Sequence, residues 1–198
     1  FSGLGGGALG FQWAGFELLP GIDADPEAMA DYEYLTGTPG HVADLTELTP
    51  AELRARVGHR RPDVLFTSPP CKGFSGCLPA SRASDPHYRE LNSLAERGIW
   101  LALETWEEPP PIILLENVPR IRSRGAEWLE AMEDMLRAYD YAIDQDTHDC
   151  GELGGLAQSR RRFLLMARHR PQVPEFVYQP PSRPLRGCGE VFSLLPVP

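Results

Sequence analysis

The first 52 residues contain no lysine and no arginine, yet they carry Glu17, Asp23, Asp25, Glu27, Asp31, Glu33, Asp44, Glu47 and Glu52. Such a half cannot offer phosphate a basic surface. The formal net charge of −9 excludes a general nucleic-acid coat protein. No apolar run approaches the roughly 20 residues that cross a bilayer, so no membrane partner is expected. The glycine-rich opening reads as turn sequence, and no signal peptide is expected. Cys71, Cys77, Cys150 and Cys188 are scattered without a Cys-x-x-Cys pair, which points away from a zinc site and from a disulfide framework. Reduced thiols, a cytoplasmic location and no bound metal are the expectation. There is no internal repeat.

The 198 residues, 42% of them hydrophobic and 24% charged, suffice for one soluble domain with a core of ordinary size. Basic residues gather downstream: Lys72, Arg82 and Arg89, then Arg120, Arg122 and Arg124, then Arg160 to Arg162, Arg168 and Arg170. Any one cluster reads most simply as a solvated helix face, whereas the asymmetry as a whole fits an edge able to meet phosphate.

Strand and helix signals alternate. A helix starts within 6–14, and 17–22 reads as a strand interrupted by Pro20. Pro26 opens a helix to about Tyr34, and Thr49-Pro50-Ala51-Glu52 gives an N-cap, a first-turn proline and a capping-box glutamate for a helix to about Val57. Val64 to Thr67 is a strand, 71–88 a mobile rim loop, and Leu91 to Thr105 a helix by its apolar spacing, with Trp100 and Trp106 as core. Ile112 to Leu115 reads as a fully buried strand, Trp128 to Leu136 as a helix, and Tyr141–Thr147 and Phe163–Ala167 as two strands joined only by a loop, hence antiparallel. The order predicts an α/β fold with a doubly wound, mostly parallel sheet and an antiparallel last strand.

Ser68-Pro69-Pro70-Cys71 is the most informative segment. Two prolines end the preceding strand and present Cys71 at a rim, and a thiolate is the best side-chain nucleophile near neutral pH. Gly3, Gly5, Gly6 and Gly7 form a loop suited to a dinucleotide or a nucleoside. Asp23 at a strand end can accept from ribose hydroxyls, and Asp44, after Val42-Ala43, can receive an exocyclic amine. Singly, either aspartate reads as a helix cap; with the glycine loop, they favour a nucleoside cofactor.

The order Phe1-Ser2-Gly3-Leu4-Gly5-Gly6, Asp23, Asp44, Pro69-Pro70-Cys71, Arg89, Glu116-Asn117-Val118 and Gln158-x-Arg160-x-Arg162 resembles the cytosine-5 DNA methyltransferases. The resemblance covers the chain to about His169. It implies a Rossmann-like S-adenosylmethionine-dependent catalytic domain over 1–169 that leaves S-adenosylhomocysteine, with 170–198 a Pro-rich connector. Phe1, Gly3, Leu4, Gly5, Gly6, Asp23, Ala24, Asp44, Leu45 and Pro70 would line the cofactor pocket. Cys71 would be the nucleophile, Glu116 the partner of the cytosine ring, and Arg160 and Arg162 the holders of base and loop. Double-stranded DNA would be the partner, as in restriction-modification systems.

The chemistry asks for these residue types. Carbon 5 of cytosine becomes nucleophilic once a thiolate adds at carbon 6, and a nearby arginine would lower the Cys71 pKa. A protonated Glu116, kept so by burial close to Cys71, would hold ring nitrogen 3. Arg162 would bond the ring carbonyl and Arg160 a phosphate or the closed loop. The base must leave the duplex, and 71–88 would close over it as a lid.

The chain departs from the family pattern in three places. A strand should precede Phe1, Glu152 to Ala157 replaces a tighter Gly-x-Pro turn, and target recognition and a late cofactor motif are expected from a further segment or a second chain. A tRNA cytosine-5 methyltransferase and a non-catalytic paralogue binding DNA or a partner are the alternatives. An amino-methyltransferase would want an aromatic residue where Cys71 stands. Cys77 reads as a lid residue, and no Cys150–His148 dyad is expected.

Overall fold

The computed structural model describes residues 1–74 and 86–193, with the backbone alone for 86–89. Cys77, the Arg89 side chain and most of the expected lid therefore lie outside the described residues.

Helix α1 (Gly6–Trp13) follows the glycine loop and leads to strand β1 (Gly21–Asp23). The strand expected over 17–22 is shorter and later than its sequence suggests, because Pro20 has no N–H for a ladder and pairing starts just after it. Helix α2 (Pro26–Thr36) is capped by Asp25, whose side chain accepts from the Glu27 and Ala28 amides. Strand β2 (Gly40–Val42) pairs parallel to β1, and α3 (Pro50–Val57) has the expected capping box, Thr49 and Glu52 bonding each other's backbone amides.

Strand β3 (Val64–Thr67) runs parallel to β4 (Ile112–Asn117), with Thr67 opposite Leu115. Between them α4 (Pro86–Glu104) crosses over, four to five residues longer at its start than the apolar spacing indicates. Short α5 (Ile121–Arg124) and α6 (Ala126–Ala138) lead to β5 (Tyr141–Asp149). A five-residue helix, α7 (Cys150–Gly154), interrupts the expected loop before β6 (Arg161–His169). β6 lies between β4 and β5, antiparallel to both. After β6 the chain is extended, save for α8 (Cys188–Phe192), which the proline-rich sequence does not announce.

The α/β class and the antiparallel last strand are as expected. Among the described residues, however, the strands form two sheets, β1-β2 and β3-β4-β6-β5. An apolar cleft lined by Leu19, Ile22, Phe66, Leu101 and Trp106 separates them.

β4 is also not buried on both faces. Ile113, Leu115 and Asn117 are buried while Ile112, Leu114 and Glu116 are partly exposed, because α4 and α6 cover only one side. That side is the main core: Ile99 and Leu103 of α4, Met132 and Leu136 of α6, and Phe163 and Leu165 of β6 are nearly or fully buried. A smaller core of Ile22, Leu48, Leu53 and Leu101 lies under the β1 side. Helix α4 thus serves both, and its Trp106 neighbour is buried as expected. Among the described residues no helix is long and apolar enough to cross a membrane.

Candidate active site

The glycine loop runs beside the end of β1. The Ser2 amide donates to the Ile22 carbonyl at 3.0 Å, and the Ser2 hydroxyl accepts from the Ile22 amide at 2.9 Å. Gly5 has φ +89°, and a Cβ there would stand 3.0 Å from the Tyr32 ring, so only glycine suits the start of α1. A Cβ on Gly7 would sit 2.3 Å from the Phe66 ring, which fixes how closely α1 packs on β3. Leu4 is exposed beside this loop, while Phe1 lies on α4, where Gly98 makes room for its ring.

The two aspartates are at the expected strand ends, and both hold backbone. Asp23 accepts from the Gly3 amide at 2.9 Å and from the Asp25 amide at 3.3 Å. It joins the glycine loop to the β1 end, with Ala24 between it and Asp25. Asp44 accepts from the Thr46 amide and hydroxyl at 2.8 and 2.7 Å, and the backbone bond first, then the hydroxyl, holds its carboxyl below the usual range. Arg97 of α4 then clamps the same turn. Its guanidinium donates to the Leu45 carbonyl at 3.1 Å and the Leu48 carbonyl at 2.5 Å, and lies 4.3 Å from the Trp100 ring centre. Arg97 carries no motif signal in the sequence.

Across the cleft, the rim of the four-stranded sheet brings the distant motifs together. The register that sets Thr67 opposite Leu115 puts Ser68 beside Glu116, and the Ser68 hydroxyl meets Glu116 Oε2 at 2.5 Å. Asn117 is buried; its amide donates to the Pro69 carbonyl at 3.3 Å, and its Oδ1 accepts from the Val118 amide. Pro70 and Cys71 follow at the rim, both partly exposed.

The Cys71 turn closes by the Phe74 amide donating to the Cys71 carbonyl at 3.0 Å. Phe74 itself is fully buried, 5.9 Å from the Trp128 ring, and a Cβ on Gly125 would strike its ring at 2.6 Å. Phe74 therefore nails the cysteine turn to the main core, a role its place in a polar, glycine-rich stretch conceals.

From β6, Arg162 Nε reaches Glu116 Oε1 at 2.7 Å. Serine on one oxygen and guanidinium on the other is the pairing of an ionised carboxylate. Glu116 is about a quarter exposed, so it ends its strand beside the cysteine turn as expected but is less buried than expected. Arg162 is engaged by Glu116 rather than by the Cys71 thiol.

Arg160 is exposed and holds the rim by its backbone: its amide donates to Asp149 Oδ1 at 3.1 Å, and its carbonyl accepts from the Cys150 amide at 3.0 Å. Asp149 also accepts from the Ser159 hydroxyl at 2.6 Å and the Gly151 amide at 2.8 Å, and these bonds, Ser159 first, hold its carboxyl below the usual range. As the departure at Glu152 to Ala157 indicates, α7 and an Asp149-centred loop stand in place of a tighter turn. The chain after β6 returns to this loop, the Arg183 amide donating to the Glu152 carbonyl at 2.7 Å. Burial pushes the Cys150 thiol up, with the Arg162 charge opposing it and the Glu116 charge adding to it. No His/Cys/Asp/Glu group among the described residues could hold a metal ion.

The sequence pattern of the C-5 cytosine-specific DNA methylases matches residues 1–185. Curated relatives include the Type II methyltransferase M1.HphI of Haemophilus parahaemolyticus, 29% identical over 85% of this chain and 44% of its own length. M.XorII of Xanthomonas oryzae pv. oryzae is 30% identical over 88% of this chain and 42% of its own. The chain therefore spans less than half the length of these relatives. Among solved structures, an Entamoeba histolytica methyltransferase has a TM-score of 0.70 at 20% identity, over 94% of this chain and 56% of that one. S. pombe Dnmt2 methyltransferase has a TM-score of 0.63 at 19% identity, over 98% and 52%.

Proposed function

The chain belongs to the C-5 cytosine-specific DNA methylases, and from that premise we propose that it carries the catalytic half of an enzyme that methylates carbon 5 of a flipped cytosine in double-stranded DNA. The observation that carries this reading is the convergence of three distant segments at one sheet rim. Ser68 and Arg162 both hold Glu116, and Asn117 holds Pro69, next to Cys71.

The residues on the β1-β2 side fit S-adenosylmethionine: the backbone of the Gly3–Gly6 loop, the ends of β1 and β2 at Asp23, Ala24, Asp44 and Leu45, and the Phe1 and Leu4 side chains would hold it, with Pro70 closing it from the facing rim. When bound, that cofactor supplies an electrophilic methyl group at the rim. Cys71 adds as thiolate to carbon 6 of the base, forming a sulfur–carbon bond and leaving carbon 5 electron-rich. Glu116, carrying a proton, meets ring nitrogen 3 and stabilises the charge that addition pushes there. Arg162 fixes Glu116 and lies close enough to the same edge to meet the ring carbonyl. Once carbon 5 carries the methyl group as well as its hydrogen, loss of that proton breaks the sulfur–carbon bond, releases the Cys71 thiolate and restores the ring. The exposed Arg160 is placed for a phosphate. Residues 170–198 lead toward target recognition.

Duplex DNA bearing 5-fluorocytosine tests this in the full-length protein with the cofactor added. Fluorine cannot leave as the proton does, so a stable protein–DNA adduct should accumulate, and the Cys71→Ser variant should form none. An adduct that survives this substitution removes Cys71 from the mechanism.

A further inference from the structure

We propose that Ser68 is a positioning residue that assigns the exchangeable proton of the Glu116 carboxyl to Oε2. The proposal deepens the reading above, in which Glu116 must alternate between ionised and neutral forms.

The two oxygens of Glu116 have partners of different kinds. Oε1 faces Arg162 Nε at 2.7 Å, and a guanidinium has donors only and keeps its protons. A proton on Oε1 would therefore point at another N–H. Oε2 faces the Ser68 hydroxyl at 2.5 Å, and a hydroxyl can donate or accept. When Glu116 is ionised Ser68 donates to it, and when Oε2 takes a proton the hydroxyl rotates and accepts, or leaves that proton to the ligand. Ser68 is the partner that tolerates both states.

Its position is fixed by the fold. Thr67 is the last residue of β3 and pairs with Leu115, so the next residue stands beside Glu116. Pro69 restricts the Ser68 backbone to extended conformations, and Asn117 anchors the Pro69 carbonyl at 3.3 Å. Among the described residues, two thiols share this rim: Cys71 in the turn beside Glu116, and Cys150 at the start of α7, whose thiol burial pushes up so that it stays neutral where carboxyls titrate. Arg162 from β6 keeps its charge throughout.

Removing the hydroxyl takes a charge-assisted donor from the ionised form and only a weaker, neutral acceptor from the protonated one. In Ser68→Ala the carboxyl should then release its proton at higher pH, by about one unit, as expected for one hydrogen bond to an ionised group. Ser68→Thr keeps the hydroxyl and should titrate as the native protein does. Carbon-13 NMR of the Glu116 carboxyl reads the midpoint directly, without DNA or turnover. Equal midpoints in the native protein and Ser68→Ala, or a Ser68→Thr midpoint that follows Ser68→Ala, would overturn the proposal. In single-turnover methylation the high-pH limb of the rate should move upward with the NMR midpoint. A uniform loss of rate at all pH values would instead mark Ser68 as structural only. Because the NMR measurement needs no substrate, failure of the 5-fluorocytosine adduct in the native protein would sink the proposed function and leave the Ser68 result standing.

Discussion

The two sides of the cleft differ in the reach of the contacts that shape them. On the β1-β2 side several join near neighbours, Asp44 with Thr46 and the α2 cap Asp25 with Glu27 and Ala28. There Asp23 also reaches the Gly3 amide, and Arg97 holds the Leu45 and Leu48 carbonyls, from farther along the chain. On the four-stranded side, the bonds that bring the distant motifs together join residues some 46 to 48 apart: Ser68 with Glu116, Asn117 with Pro69, Arg162 with Glu116. The near-neighbour contacts can keep their local shape when packing loosens. The distant rim contacts exist only while β3, β4 and β6 stay in register, so their precision depends on the main core. Helix α4 joins the two, since Leu101 packs in the small core and Ile99 in the large one.

The strongest test of that contrast is Phe74→Ala. The ring is fully buried, so its loss should cost about 3–5 kcal/mol of stability, a large share of what a domain of this size has. Because α4 is shared, denaturant unfolding should remain one transition seen alike by probes on both sides. Two separate transitions, with the β1-β2 side unmoved, would show that the cleft divides independent cooperative units.

The contrast also explains what the sequence made legible. The capping box at Thr49, the Pro26 helix start and the helix Trp128 to Leu136 are local patterns, and the structure has them. Cys71 and Glu116 could be singled out because prolines and an apolar run mark the ends of their strands. Ser68, Phe74 and Arg97 were not legible, because the partner that gives each its role lies 48 or more residues away or in another element. The split into two sheets was equally hidden: strand signals report which residues are extended, not which edges meet. Likewise the partial exposure of Glu116 follows from helices covering one face of β4 only, which a run of Ile and Leu cannot reveal.

Glu116→Gln sharpens the comparison at the level of chemistry. The amide keeps the shape and can still accept from Arg162, but it has no proton to gain or lose. Cofactor binding, which rests on the other side of the cleft, should be unchanged by calorimetry. Methyl transfer in single-turnover experiments should slow by about a hundredfold or more, as for loss of a transition-state hydrogen bond. A near-normal chemical rate would make Glu116 a structural cap. Weakened cofactor binding would show that the two sides are not separable.

The smallest effect comes from acid, and it treats both sides alike. Asp44 and Asp149 each have their carboxyl held below the usual range by bonds to nearby amides and hydroxyls. A depressed carboxyl stabilises the folded state above the unfolded value, about pH 4, and that contribution disappears as pH falls through the lower folded value. Asp44 is exposed and Asp149 partly so, and the effect on overall stability should be slight and local. The Thr46 amide should report it by NMR, its shift moving with a midpoint below that of an ordinary aspartate, and the Arg160 amide should do the same for Asp149. In Asp44→Asn the side-chain carbonyl can still accept from the Thr46 amide, so the turn should persist while its pH response vanishes; the Arg160 response should be untouched. If Asp44→Asn also flattened the Arg160 titration, the two loops would be coupled across the cleft, and the division between locally and distantly built sides would fail at its most exposed point.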